Sequence, residues 1–226
     1  MGEMIVFPAD GRTTAGYLAT PVGGNGPGVL VLHAWWGLTP LFRSLCDRLA
    51  GAGFVALAPD LHHGRTAATI EGAEALLSAV PFEEKRADVL GAIEHLAAHP
   101  AVRGSESGLG AVGFSMGAAW ALYASALAPE RIAAAVAFYG TNDADYGAAR
   151  AAYLGHYVED DEWEPFDGVR RMEETIRAAG REITVHAYPG VRHWFFEEDR
   201  PEYDAEAARL AWERTLDFLR RQLGGD

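Results

Sequence analysis

Gly113-Phe114-Ser115-Met116-Gly117 is a serine flanked by glycines, and it stands between two apolar stretches of the chain. Residues 109–112 precede it and residues 118–122 follow it, which predicts a strand, a sharp turn and a helix. On such a turn the serine is held in a strained conformation with its hydroxyl exposed, and the glycines leave room for the neighbouring strand and helix. The pattern therefore indicates a nucleophile elbow, although Ser115 could also be an ordinary helix N-cap.

Apolar runs alternate with helical patterns along the rest of the chain. The runs predict strands at residues 29–32, 54–58, 109–112, 132–139, 151–158 and 183–188, the fifth being ambiguous by propensity. Apolar residues at helical spacing predict helices at residues 39–51, 83–99, from 116 onward, 164–179 and 204–223. Residues 5–20, with Asp10-Gly11 near their centre, predict an antiparallel hairpin. This alternation favours a mostly parallel central sheet with helices on both faces. Together with the elbow, it predicts an α/β-hydrolase fold.

Length and composition set the class of protein to expect. The chain has 226 residues, which suits one domain over residues 1–226. Its net charge of −13 argues against nucleic acid and anionic membranes as partners. Cys46 is the only cysteine, so no intrachain disulfide can form. With no signal-peptide pattern and no apolar run of about 18 residues, we expect a cytoplasmic monomer or small homo-oligomer.

Three predicted strand ends carry residues that could form a catalytic triad. A serine hydroxyl needs a base to take its proton, and that base needs a carboxylate to orient it. Ser115 is followed along the chain by the acidic run at residues 159–162 and then by His193, which is the order of the α/β-hydrolases. Each feature has an ordinary alternative, because His193 could lie in a surface loop and the acidic run could be solvated.

The oxyanion hole and the substrate pocket are expected close to the same strand ends. The backbone N–H of Met116, at the start of a helix, and that of Trp35, in the loop after residues 29–32, are the predicted oxyanion donors. The predicted pocket residues are His33, Trp36, Arg65, Trp194 and Phe195. Plain core packing is the alternative for the aromatic ones. No spacing of ligands predicts a metal, and no G-x-G-x-x-G or Walker pattern predicts a nucleotide cofactor, so we expect neither.

The chain resembles the dienelactone hydrolase family over most of its length. The blocks that carry the resemblance are residues 31–38, 58–61, 113–117, 138–140, 155–161 and 188–195. The resemblance implies a cofactor-free hydrolase of small ester or lactone substrates. It places the acid at Asp161 rather than Asp160, and it supports His193 as the base and Met116 and Trp35 as the oxyanion donors.

Three features of the sequence depart from the pattern of the family. Ser115 stands where the usual nucleophile is cysteine, and Ala34 stands where typical members carry a glutamate that manages the ionisation of that cysteine. The two changes are chemically coherent, because a serine has no thiolate to manage. Arg65 is the expected contact for a substrate carboxylate, but Glu197 and Glu198 are expected to make the rim acidic, which favours a neutral or weakly charged substrate.

Two other functions remain open from the sequence. A hydrolase fold can also serve as a non-catalytic or ligand-binding protein, because a fold alone does not determine function. The same triad could also cleave thioester or peptide bonds.

Overall fold

One eight-stranded sheet forms the centre of the computed structural model, which describes residues 2–224. The strands are β1 (Glu3–Ala9), β2 (Arg12–Ala19), β3 (Gly28–Leu32), β4 (Val55–Pro59), β5 (Leu109–Phe114), β6 (Ile132–Phe138), β7 (Ala152–Val158) and β8 (Ile183–Tyr188). Their order is β1-β2-β4-β3-β5-β6-β7-β8. β2 is antiparallel to both of its neighbours, and all the other neighbouring strands are parallel.

Helices cover both faces of this sheet. They are α1 (Pro40–Gly51), α2 (Ile70–Ala79), α3 (Phe82–Ala97), α4 (Met116–Leu127), α5 (Phe166–Ala178) and α6 (Ala205–Leu223). α1 and α6 bury their apolar side chains against one face, whereas α3, α4 and α5 do so against the other. The predicted α/β-hydrolase fold is thereby confirmed. No helix among residues 2–224 combines the length and the apolar character that a membrane crossing requires.

Local signals in the sequence correspond to the observed turns and ends. Asp10 and Gly11 both have positive φ, and Ala9 pairs with Arg12, so the predicted hairpin forms with a tight turn. Gly180 has a φ of +75° and its N–H donates to the carbonyl of Arg177, which ends α5. The ambiguous segment is the strand β7, buried inside the sheet.

Helix α2 was not predicted from the sequence. Ala73 is its only buried residue, so α2 shows little of the apolar stripe by which amphipathic helices are found. Its start does carry a signal, because the side-chain oxygen of Thr69 accepts a hydrogen bond from the N–H of Gly72.

Candidate active site

Ser115 lies in the turn between β5 and α4, with φ 50° and ψ −113°. A non-glycine residue at positive φ is strained, and such strain is often found at functional sites. The flanking glycines are required by close backbone contacts. A Cβ on Gly113 would lie 2.0 Å from the carbonyl oxygen of Gly117, and one on Gly117 would lie 2.0 Å from that of Leu32. Glycine is therefore required at both positions, because α4 begins directly against β3 and β5.

The side chain of Ser115 faces an imidazole and does not cap α4. Its Oγ lies 3.0 Å from Nε2 of His193, which is in the loop after β8. The other ring nitrogen, Nδ1, lies 2.8 Å from Oδ2 of Asp161, in the loop after β7. The histidine and aspartate side chains are only 4% and 1% exposed. The structure thus brings together three residues from three strand ends in one chain of hydrogen bonds.

Asp161, and not the neighbouring Asp160, provides the carboxylate. Asp160 is exposed to solvent. The second oxygen of Asp161 accepts hydrogen bonds from the backbone N–H groups of Trp163, at 2.8 Å, and Glu164, at 3.2 Å. These bonds leave Oδ2 to accept from the imidazole, so they fix the tautomer in which Nε2 can take a proton from Ser115.

Tyr139, at the end of β6, contacts the imidazole from another side. It has a φ of +41°, and its ring centroid lies 4.8 Å from that of His193. Its hydroxyl donates a hydrogen bond of 2.8 Å to Oε1 of Glu197. The next residue, Gly140, could not carry a side chain, because a Cβ there would lie 2.4 Å from the carbonyl oxygen of Ser115. Sequence reasoning gave Tyr139 no role.

Glu197 corrects the expectation of an acidic rim. This residue is completely buried, because the whole segment at residues 193–197 turns inward, and only Glu198 is exposed. Burial raises the pKa of the Glu197 carboxyl to about 8, an effect that the hydrogen bond from Tyr139 opposes. Glu197 therefore does not form part of an exposed acidic rim.

A cavity of about 190 Å³ opens in front of Ser115. It is lined by Trp35, Ser115, Met116, Ala119, Gly140, Thr141, Trp163, Glu164, His193 and Trp194. The ring of Trp163 contacts those of Trp35 and Trp194, with centroid distances of 5.5 and 5.3 Å. Trp194 was expected at this pocket, whereas Trp163 was not. The position of Trp163, two residues after the predicted acid Asp161, was the signal that could have identified it as a pocket residue.

Four residues expected at the pocket do not line it. His33 is buried, and its ring accepts a hydrogen bond from the N–H of Leu61 and pairs with the carbonyl of Ala34, while burial lowers its pKa to about 4. The other three are corrected for different reasons. Trp36 is buried beneath the guanidinium of Arg200. Phe195 is buried between Tyr139 and Tyr188. Arg65 is exposed, and its guanidinium donates a hydrogen bond to the carbonyl of His62.

No group of three or more His, Cys, Asp or Glu side chains among the described residues could hold a metal ion. A serine at positive φ, an imidazole and a buried carboxyl group lie together at the carboxyl ends of parallel strands. That combination is the arrangement of the α/β-hydrolases.

Comparison with known proteins narrows this class to a family. The profile of the family described as "Dienelactone hydrolase family" matches residues 14–223. The chain belongs to the dienelactone hydrolase family and is a hydrolase of that type.

Similar proteins cover the whole chain. It is 34% identical to "Protein usf" of Aquifex pyrophilus and to "Putative carboxymethylenebutenolidase" of Aquifex aeolicus, in each case over 99% of this chain and 100% of the relative. The crystal structure of "Putative Dienelactone Hydrolase" from Klebsiella pneumoniae is 27% identical, with a TM-score of 0.86 over 98% of both chains.

Proposed function

We propose that this protein hydrolyses ester or lactone bonds with Ser115 as its nucleophile, through an acyl-enzyme intermediate. The observation that carries the proposal is the unbroken chain of hydrogen bonds from Asp161 through His193 to Ser115. Membership of the dienelactone hydrolase family supports the ester or lactone class of substrate.

In this proposal each residue of the triad has its own role in the reaction. Nε2 of His193 takes the proton of Ser115 as Oγ attacks the carbonyl carbon, and Asp161 stabilises the imidazolium that forms. When the tetrahedral intermediate collapses, the imidazolium gives this proton to the departing alcohol, or to the ring oxygen of a lactone. A water molecule, deprotonated by the same nitrogen, then attacks the acyl-enzyme and releases the acid and Ser115.

Backbone N–H groups supply the stabilisation of the oxyanion in this proposal. Met116 is the first residue of α4, so its N–H has no acceptor within the helix, and the helix dipole favours negative charge there. Trp35 lines the same cavity from the loop after β3. The backbone N–H of Trp35 makes no hydrogen bond to another described residue, which leaves it available to the substrate.

The change of nucleophile from cysteine to serine fits the surroundings of Ala34. This residue is completely buried, and its carbonyl accepts a hydrogen bond from the N–H of Gly37. Ser115 needs no charged neighbour to hold it as an anion, because His193 removes its proton only during the attack. We therefore infer that Ser115 is a neutral hydroxyl in the resting enzyme.

Replacing Ser115 by alanine tests the proposal directly. Ser115→Ala is expected to lower kcat for p-nitrophenyl acetate by about 10³-fold or more, because the nucleophile is lost. It should also abolish labelling by a fluorophosphonate, which reacts only with an activated serine. Ser44→Ala is the matched control, since Ser44 is exposed on α1. Near-normal hydrolysis by Ser115→Ala would refute the proposal and leave a ligand-binding role for the fold.

A further inference from the structure

A second cavity, of about 300 Å³, adjoins the catalytic one. It is lined by Leu77, Val80, Phe82, Lys85, Met116, Ala119, Trp120, Tyr123 and Asn142. Met116 and Ala119 line both cavities, so the first turn of α4 is their common wall. Met116 and Ala119 are therefore the side chains that a group held at Ser115 would have to pass to reach the second cavity.

The walls of the second cavity are mainly apolar and aromatic. The ring of Phe82 stacks on that of Trp120 at a centroid distance of 5.0 Å, and Tyr123 lies 5.8 Å from both rings. At its rim, Leu77 is 41% and Phe82 55% exposed. Large apolar side chains that remain exposed around a concave site are typical of a binding surface for an apolar group.

The two strongest polar groups of this cavity already have partners in the protein. Nζ of Lys85 donates to the carbonyl of Leu77, at 2.6 Å, and ties α3 to the end of α2. The side-chain amide of Asn142 donates to the carbonyl of Ala119, at 3.2 Å. These bonds leave the apolar walls as the main surface that a ligand can contact.

The sizes of the two cavities indicate that they act together. Small-molecule sites usually measure roughly 300–1,000 Å³. The catalytic cavity, at about 190 Å³, falls below that range, and the second cavity, at about 300 Å³, brings the combined site into it.

The position of His193 determines which part of the substrate enters. The alcohol oxygen must lie next to His193, because this residue protonates it on departure. His193 lines the catalytic cavity but not the second one. The substituent on the other side of the carbonyl carbon, which is the acyl chain, is therefore the part directed toward Met116 and Ala119.

We propose that the second cavity is an acyl subsite, which makes the enzyme selective for esters of uncharged, medium-length or aryl carboxylic acids. This inference rests on the proposed function and extends it to a substrate class. Ala119 determines access to the subsite, and Leu77 and Phe82 form its apolar rim.

The first test is a series of p-nitrophenyl esters from acetate through butyrate and hexanoate to octanoate. Burying one methylene group contributes about 0.8 kcal/mol, which corresponds to roughly a fourfold gain per methylene. We expect kcat/KM to rise at least about tenfold from acetate to hexanoate. A flat or falling series would overturn the inference.

Two variants connect this selectivity to the cavity. Ala119→Leu narrows the passage and Leu77→Asp places a charge on the rim, and each is expected to lower the ratio of hexanoate to acetate kcat/KM by about tenfold. The matched control is Val22→Asp, because Val22 is an exposed apolar residue that lines neither cavity. Thermal unfolding shows whether each variant is folded. Folded Ala119→Leu enzyme with the wild-type ratio would contradict the assignment.

Two further comparisons of substrates test whether the second cavity takes a charged acid or the alcohol instead. Faster hydrolysis of the p-nitrophenyl half-ester of succinate than of the butyrate ester would show that Lys85 receives a carboxylate, and it would overturn the uncharged class. A gain with chain length among alkyl acetates that Ala119→Leu removes would show that the cavity takes the alcohol. If acetate hydrolysis depends on Ser115 but the acyl series is flat, only this inference fails. If no ester is hydrolysed and Ser115 is not labelled, both proposals fail.

Discussion

Two buried carboxyl groups lie near His193, and their surroundings differ. Asp161 bonds directly to the imidazole, and its other oxygen accepts from two backbone N–H groups. Oε1 of Glu197 accepts a hydrogen bond from the phenol of Tyr139, the residue whose ring contacts His193. Burial raises the pKa of Glu197 to about 8. Asp161 is therefore suited to orient the imidazole, because backbone N–H groups hold its carboxyl group in place, whereas burial favours the protonated form of Glu197.

The largest expected effect comes from removing the charge of Asp161. Asp161→Asn retains the volume of the side chain but favours the wrong tautomer of His193, so we expect kcat for p-nitrophenyl acetate to fall by about 10⁴-fold. Steady-state kinetics measure this loss, and the rate of fluorophosphonate labelling should fall with it.

Asp160→Asn is the matched control for this comparison. Asp160 is the adjacent aspartate, and it is exposed. We expect its substitution to change kcat less than twofold, because an exposed charge contributes little. Equal losses in the two variants would show that the acidic run acts through its overall charge, and the role assigned to Asp161 would be wrong.

The second effect concerns the stability of the protein as a function of pH. The pKa of the Glu197 carboxyl rises from 4.5 to about 8 on folding. Between these values the unfolded chain releases a proton that the folded protein keeps, so the free energy of unfolding falls as the pH rises from about 4.5 to 8. Glu197→Gln has no proton to lose. Relative to wild type, the variant should therefore gain stability across this interval, by on the order of 4 kcal/mol in total.

Urea unfolding at pH 5, 6.5 and 8.5 measures this difference. The buried histidines, whose pKa values are lowered by burial, also make stability depend on pH, but they are present in both proteins and cancel in the comparison. A constant difference between variant and wild type at all three pH values would show that Glu197 is ionised in the folded protein throughout. In that case the effect assigned to the burial of Glu197 would be wrong.

The sequence carries enough information for the elbow and the triad because their causes are local. Gly113 and Gly117 are required by backbone contacts next to Ser115, and a motif records such requirements. The order of strands and helices then places the loops after β5, β7 and β8 at one edge of the sheet. Resemblance to the family was still needed to choose Asp161, since residues 159–162 are all acidic and differ only in which one turns inward.

Depth and packing partners are not recorded locally, and the missed features all depend on them. Glu197 was read as surface because it is charged, although the three aromatic residues before it, at 194–196, are a signal of burial. His33 and Phe195 were read as pocket residues because they are close in sequence to the site, but their side chains turn into the core. Tyr139 could not be identified as a neighbour of His193 without knowing that β6 ends beside the loop after β8.

The smallest effect tests whether the bond between Tyr139 and Glu197 is worth more than an ordinary buried phenol bond. Tyr139→Phe keeps the aromatic ring against His193 but leaves a fully buried carboxyl without its donor, so we expect it to cost about 1–3 kcal/mol in the free energy of unfolding. Tyr146→Phe is the matched control, because the buried Tyr146 donates to a backbone carbonyl, that of Asn142. The free energy of unfolding should fall by only about 1 kcal/mol in Tyr146→Phe, since the carbonyl of Asn142 has a second lone pair for another donor. Equal costs in the two variants would mean that Glu197 finds another partner once the phenol is gone, and that Tyr139 is not its essential donor.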